Sequence, residues 1–346
     1  MRCVAINTGP ETYLDHLGVL SSVLNIPLIV TDEKTFAFAK EYYPDLDVSL
    51  KGFDELSIAY LAENFDAVFE TGKFWAADLK PALELLFRKK MRFVFCPHGN
   101  SDKGHSLSEH VDQDISLIYG DHLKDLLIRT SAAEKIKHFV RTGNYRLPYY
   151  LKHKSFYDAL AAEKVFSRFQ EPKPAILYAP TWQDRENPTS FFSSVDSLVE
   201  QLSPSYNLVI KLHPFLLEDF PAQVYRVMMR YEDHPSALFL SDFPPIYPLL
   251  ARCALYLGDY SSIGYDFLAF DKPLYFLNPK KGPNLSPLYS CGWEVPRAEN
   301  IKKFLTETEV DSTISFKKQR QNLYSYAFGS EICSEQIKAS IFEALK

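Results

Sequence analysis

Apolar runs of four to six residues recur along the chain, separated by longer stretches with helical spacing of apolar positions. In the first half the runs are Cys3–Ile6, Ile26–Thr31, Asp66–Glu70, Arg92–Cys96 and Ile115–Tyr119, with helix-like segments at Tyr13–Leu24, Lys73–Phe87 and Asp121–Ser131. In the second half they are Ala175–Ala179, Leu208–Leu212, Ala237–Leu240, Ala254–Leu257 and Leu274–Leu277. Runs this short and this apolar are expected where helices cover both faces of a parallel sheet. Their alternation with helices predicts doubly wound α/β units. The pattern breaks near Tyr145–Pro174, where a helical stretch, Tyr149–Phe169, is closed by Glu171-Pro172-Lys173-Pro174. Prolines at 172 and 174 mark a linker. The expected organisation is a first doubly wound domain over 1–148, a helical linker over 149–174, and a second such domain over 175–346 that includes the terminal helices.

Composition agrees with this picture. At about 150 residues per domain, 346 residues make two domains. Hydrophobic residues at 46% and charged residues at 24% exclude a disordered or low-complexity chain. With 26 Phe and 21 Tyr against 13 Gly, the chain can fill large cores but offers few glycine-rich loops. The net charge of −6 argues against a nucleic-acid partner. Five scattered cysteines without a C-x-x-C pair read as reduced thiols of a cytoplasmic protein. The N-terminus turns polar too soon for a signal peptide, and no apolar run approaches the length that spans a bilayer. The stretch Leu85–Arg92 combines Leu-Leu-Phe with Arg-Lys-Lys-Met-Arg. It suits contact with an anionic lipid surface, although its plainer reading is a helix end carrying dipole-favoured cations.

Open α/β sheets bind ligands beyond the carboxyl ends of their strands, so the polar residues just after each apolar run carry the chemistry. After Arg92–Cys96 come His98-Gly99 and a polar loop reaching Lys103, Gly104 and His105. A histidine there can accept a proton near neutral pH, or simply bond a loop carbonyl. His110 and His122 follow, without zinc-ligand spacing, so no metal site is expected. After Ala175–Ala179, Thr181 reads either as a phosphate contact or as part of a capped turn beside a core Trp182. In Leu208–Pro214, alternation puts Lys211 and His213 on one strand face, suiting an anion, while Pro214 opens the next helix. After Ala254–Leu257, Asp259-Tyr260-Ser261-Ser262 enters a helix, where the serines are either anion-facing groups or ordinary N-caps. Neither G-x-G-x-x-G nor G-K-[ST] is present.

Taken in order, these segments resemble the CDP-glycerol glycerophosphotransferase family of teichoic-acid primases and polymerases. The resemblance rests on His98-Gly99 with Lys103, Thr142-Gly143-Asn144-Tyr145-Arg146, Ile176–Asp184, Ile210–Pro214, Asp259-Tyr260-Ser261-Ser262 through Asp266-Phe267-Leu268, and Lys272-Pro273. It implies a GT-B-like α/β fold, two Rossmann-like doubly wound domains facing each other across a cleft. It also implies a general-base His98 on the acceptor side with Gly99 and Lys103. The same resemblance implies donor-pyrophosphate contacts from His213, read as catalytic with His98, and from the Ser261–Ser262 turn; Thr181, Lys211, Asp259 and, at the domain junction, Arg146 are expected beside them on the donor side. Two departures stand out. The family's commoner H-G-T-P-L-K is here His98-Gly99-Asn100-Ser101-Asp102-Lys103, and Ser334-Glu335 is followed by Gln336 where the family often has arginine.

The implied reaction moves a polyol phosphate, most simply glycerol phosphate, from a CDP-glycerol-type donor to an acceptor hydroxyl, with release of CMP. The acceptor would be a polyol, a glycan or a lipid-linked chain in cell-surface polymer synthesis. The setting would be the cytoplasm, peripheral to the inner membrane face. Neither a metal requirement nor an oligomeric state is legible. One alternative is a GT-B glycosyltransferase or nucleotide-sugar epimerase with a UDP-type donor. Another is a non-catalytic nucleotide-binding relative.

Overall fold

The computed structural model describes residues 1–346 apart from 73, 104, 185, 186, 260 and 280–285, and apart from the side chains of 74, 75, 105, 106 and 309–313. Gly104, Tyr260 and the side chain of His105, quoted above within motifs, lie outside the described residues. The chain forms two units, Met1–Tyr149 with Ser325–Lys346, and Tyr150–Tyr324.

The first unit is built on β1 (Cys3–Asn7), β2 (Leu28–Val30), β3 (Val48–Leu50), β4 (Ala67–Glu70), β5 (Arg92–Phe95), β6 (Ile115–Ile118) and β7 (His138–Arg141). All neighbours pair in parallel, in the order β3-β2-β1-β4-β5-β6-β7. Val4, Ile6, Ile29, Val68 and Phe93 pack one face against Leu61, Ala76 and Leu83 from the covering helices. The second unit holds β8 (Ala175–Ala179), β9 (Asn207–Lys211), β10 (Ala237–Leu240), β11 (Leu255–Gly258), β12 (Leu274–Leu277) and β13 (Trp293–Val295). Its parallel order is β10-β9-β8-β11-β12-β13. Here Ile176, Tyr178, Leu208, Ile210 and Leu257 meet Val195, Leu198 and Leu202 of the helix Phe191–Leu202. Both units are therefore doubly wound, and in each the strand order reverses beside the first strand, between β1 and β4 and between β8 and β11.

The boundaries differ from those expected. The stretch expected as a linker is part of the second unit. The helix Lys154–Lys164 packs on the helix Tyr247–Arg252, burying Tyr157 and Ala161, and the Tyr150 hydroxyl donates to Asp158 at 2.9 Å. The terminal helix Ser334–Ala344, expected in the second domain, instead buries Ile337 and Ile341 in the first unit, against the helix Leu17–Leu24 and β7. Apolar residues on that helix complete the first core, which is why it does not stay with its sequence neighbours.

Candidate functional site

In the first unit the site grows from the end of β5. Cys96 and Pro97 carry the chain past the sheet to His98, whose side chain is 36% exposed. Gly99 follows at φ 136°, a conformation that residues with a side chain rarely adopt, so the loop needs glycine there. The Tyr13 ring lies 4.8 Å from the His98 ring, centroid to centroid, and the Glu109 Oε2 lies 3.9 Å from Nδ1. Lys103 is half-buried in the following loop, its amide donating to the Ser101 hydroxyl at 3.1 Å.

Behind this loop is a buried polar network. The Tyr119 hydroxyl donates its one proton to the Pro97 carbonyl at 2.7 Å. His16 Nδ1, 2.9 Å from that same hydroxyl, must therefore be the donor, which leaves Nε2 to accept from Arg146 at 3.4 Å. That is a neutral imidazole. Burial, then the Arg146 charge and then His98, hold the His16 pKa well below its ordinary value. Arg146 donates to Asp15 at 3.0 Å and is itself buried in the first unit. Its guanidinium is engaged by Asp15 and His16 within the first unit.

Both departures from the family pattern have structural partners. Asn100 is buried and donates to the Ala327 carbonyl at 3.0 Å, while Asp102 accepts from His122 at 2.9 Å. Gln336 accepts from the Cys333 amide at 3.2 Å, closing a helix cap in the first unit. Sequence reasoning passed over Tyr13, His16, Glu109 and Glu70. Glu70 ends β4, accepts from Gln113 at 2.8 Å, and burial raises its pKa to about 7. An acidic residue closing an apolar run was the only sign of it.

In the second unit three adjacent strands, β9, β8 and β11, end at one level, with Gly258 opposite Ala179 and Tyr178 opposite Ile210. Lys211 closes β9, and Thr181, His213, Asp259, Ser261 and Ser262 follow these strand ends in the chain. Asp259 is fully buried and accepts from the Thr181 amide at 2.6 Å, the Ser190 amide at 2.9 Å and the Ser190 hydroxyl at 2.7 Å. Through these bonds it holds the loop after β8 in place. Burial and the Asp259 charge push the Tyr178 and Tyr256 hydroxyls well up.

β9 ends at the buried Lys211, and His213 caps the helix Pro214–Asp219, with Pro214 at its start. The Phe215 amide donates to His213 Nδ1 at 3.2 Å, so the neutral ring carries its proton on Nε2, a donor suited to an anionic oxygen. Trp182 and Phe215 flank the ring at 6.0 and 5.5 Å. Ser261 caps the helix Ser262–Phe267, accepting from the Ile263 amide at 3.4 Å. With six residues that helix has little macrodipole, so hydroxyls and single amides are what the turn can offer an anion. Asp266 accepts from Tyr247 at 3.2 Å, and Lys272 reaches the carbonyls of Leu250, Ala251 and Cys253, so both are framework. Among the described residues, no His, Cys, Asp and Glu cluster could hold a metal ion, and no helix is long and apolar enough to cross a membrane.

Two Rossmann-like units with polar strand ends define a fold of the GT-B class. Solved structures agree over nearly the whole chain. The wall teichoic acid polymerase TagF superposes with a TM-score of 0.69 at 14% identity, covering 99% of this chain and 89% of that one. S. aureus MnaA with UDP gives 0.61 at 14% identity over 100% of this chain and 98% of the other. Residues 141–282 match the model of the family CDP-Glycerol:Poly(glycerophosphate) glycerophosphotransferase, so the resemblance carried by the motifs is shown for that segment. The teichoic acid glycerol-phosphate primase of Bacillus spizizenii is 34% identical over 113 residues, 32% of this chain and 27% of that protein. The teichoic acid poly(glycerol phosphate) polymerase of the same organism is 27% identical over 159 residues, 43% of this chain and 37% of the polymerase. The matched stretches thus span well under half the length of these relatives.

Proposed function

We propose that this chain is an enzyme that transfers a polyol phosphate, most simply glycerol phosphate, from a CDP-activated donor to an acceptor hydroxyl in cell-surface polymer synthesis. The observation that carries the reading is the family match over 141–282, which contains the ends of β8, β9 and β11 with Thr181, Lys211, His213, Ser261 and Ser262. The acceptor oxygen bonds to the donor's β-phosphorus, the bond from that phosphorus to the bridging oxygen breaks, and CMP leaves with that oxygen. His98 takes the acceptor proton, an effect worth about 10²–10⁴-fold. His213 Nε2–H, Lys211, Thr181 and the Ser261–Ser262 turn bind the pyrophosphate and stabilise charge on the departing CMP. Gly99 and Lys103 stand on the acceptor side. Asp259 holds the Thr181 amide, and Arg146 is held by Asp15 and His16.

The acceptor is a polyol, glycan or lipid-linked chain, and the reaction takes place in the cytoplasm at the inner membrane face. Leu85 and Leu86, 81% and 66% exposed, adjoin exposed Arg88, Lys90 and Arg92 and suit an anionic lipid surface.

The test is a thermal-shift panel of CMP, CDP-glycerol, CDP-ribitol, UDP and UDP-sugars, since a ligand that binds the native state raises the melting temperature with its affinity. Cytidine nucleotides are expected to stabilise most. A preference for UDP or a UDP-sugar would replace this reading with a nucleotide-sugar enzyme. Stabilisation by cytidine nucleotides without CMP release from CDP-glycerol would leave a non-catalytic nucleotide-binding relative.

A further inference from the structure

His98 is held on two sides by residues that no motif marks. Tyr13 sits in the short 3-10 turn Glu11–Asp15 after β1, and its ring lies against the imidazole at 4.8 Å, tilted by 32°. Gly9 makes room for it: a Cβ there would come within 2.4 Å of the Tyr13 ring. The Gly9 amide donates to the Asn7 side chain at 3.0 Å, which fixes the start of the same loop. Glu109, in the turn His105–His110, places Oε2 3.9 Å from the imidazole Nδ1, within ion-pair range but longer than a hydrogen bond.

Among the described residues, two further titratable groups couple to this ring: His16, the N-cap of the helix Leu17–Leu24, and His110, on the same turn as Glu109. Burial lowers both, His110 to about 3 and His16 well below its ordinary value, so near neutral pH they add no positive charge. The Glu109 carboxylate, at 3.9 Å, is a charge of the sign that answers a protonated His98.

We propose that Glu109 and Tyr13 are positioning residues for His98. Glu109 orients the Nδ1 side and balances the imidazolium that forms when Nε2 takes the acceptor proton, while Tyr13 fixes the ring plane. This rests on His98 being the base, but the pairing itself can be read without turnover.

The test titrates the His98 ring by NMR in histidine-labelled protein, its signal assigned by its loss in His98→Ala, beside CMP release from CDP-glycerol across pH. A charge within about 4–6 Å shifts a pKa by roughly one unit. Glu109→Gln should therefore lower the His98 midpoint by about one unit. It should move the acid limb of kcat/KM to lower pH by the same amount and reduce plateau kcat about tenfold, with donor KM unchanged. Glu109→Asp should fall between. Tyr13→Ala and Gly9→Ala should lower kcat with the midpoint nearly kept, and Tyr13→Phe should restore it. An unchanged His98 midpoint in folded Glu109→Gln overturns the pairing, and unchanged kcat in Tyr13→Ala overturns the stacking role. Full turnover in His98→Ala would instead remove the base reading, leaving the titration to decide the pairing alone.

Discussion

The two units reverse their strand order at equivalent places, and each sets a carboxylate at the end of the fourth strand, Glu70 after β4 and Asp259 after β11. The surroundings make them opposites. Asp259 receives two amides and a hydroxyl at 2.6–2.9 Å, an arrangement that suits an ionised group. Glu70 receives a side-chain bond from Gln113 and is pushed by burial to about 7, so near neutral pH much of it stays protonated. One topology thus yields a fixed edge in the unit proposed to hold the donor's charged phosphates, and a titrating edge in the unit that carries the proposed base. At Glu70 burial outweighs the bonds from Gln113 and the Ala76 amide, whereas three donors converge on Asp259.

The largest effect expected falls on the first unit. Arg146→Ala leaves Asp15 buried without its cation, which should cost about 3–5 kcal/mol in urea unfolding. Donor affinity, measured by calorimetry on protein still folded, should hold. Loss of donor binding with full stability would return Arg146 to the donor site and blur the contrast. Next comes the fixed edge. Asp259→Ala strands three buried donors and should cost about 3 kcal/mol, with donor affinity falling as the Thr181 loop loosens. An unchanged urea midpoint would show that the bracing is idle.

The titrating edge gives a pH signature. Glu70 has its folded pKa raised from 4.5 to about 7, so the folded state binds the proton more tightly than the unfolded chain. That contribution is fully present below about 4.5 and is lost as pH rises through about 7. Glu70→Gln, which cannot ionise, should match wild type near pH 4.5 and exceed it by about 2–3 kcal/mol at pH 8. His16 and His110 also make stability pH-dependent, but on the acid side and equally in both proteins, so they drop out of the difference. Parallel melting curves from pH 4.5 to 8 would refute the assignment. The smallest effect is a binding one: His213→Ala should weaken the donor by roughly 1.5–3 kcal/mol, the range for a hydrogen bond to a charged group, with little change in stability. Calorimetry with CDP-glycerol measures it, and undiminished affinity would make His213 only a helix cap.

The ten apolar runs of the sequence are all strands in the structure, nine inside the sheets and one, β10, at an edge, because strands covered on both faces must be apolar throughout. The strands that escaped notice, β3, β7 and β13, are all sheet edges. Val48–Leu50 and Trp293–Val295 have three residues each, and His138–Arg141 is largely polar, so none forms an apolar run. The candidate site was legible to the same degree. Strand-end motifs gave His98, Thr181, Lys211, His213 and the serine turn, since chain position alone puts them beyond the sheets. What they could not give is which polar group is engaged by protein. Nothing local reveals the protein partners of Arg146 and Asp259, since Asp15 lies 131 positions away from the first and Ser190 lies 69 from the second. Tyr13 and Glu109 lie on other elements and meet His98 only in three dimensions.

The partition of the chain has a consequence for the order in which the molecule can be made. Residues 325–346 belong to the first unit, yet the ribosome delivers them only after all of Tyr150–Tyr324. Until they arrive, the Asn100 side chain lacks the Ala327 carbonyl that anchors the loop beginning at His98. Gly120 likewise waits for its tight contact, 2.6 Å from that same oxygen to where a Cβ would stand. A nascent chain therefore holds its second sheet complete while its His98 loop is still loose. Biosynthesis itself delays completion of the His98 loop until the second unit has been made.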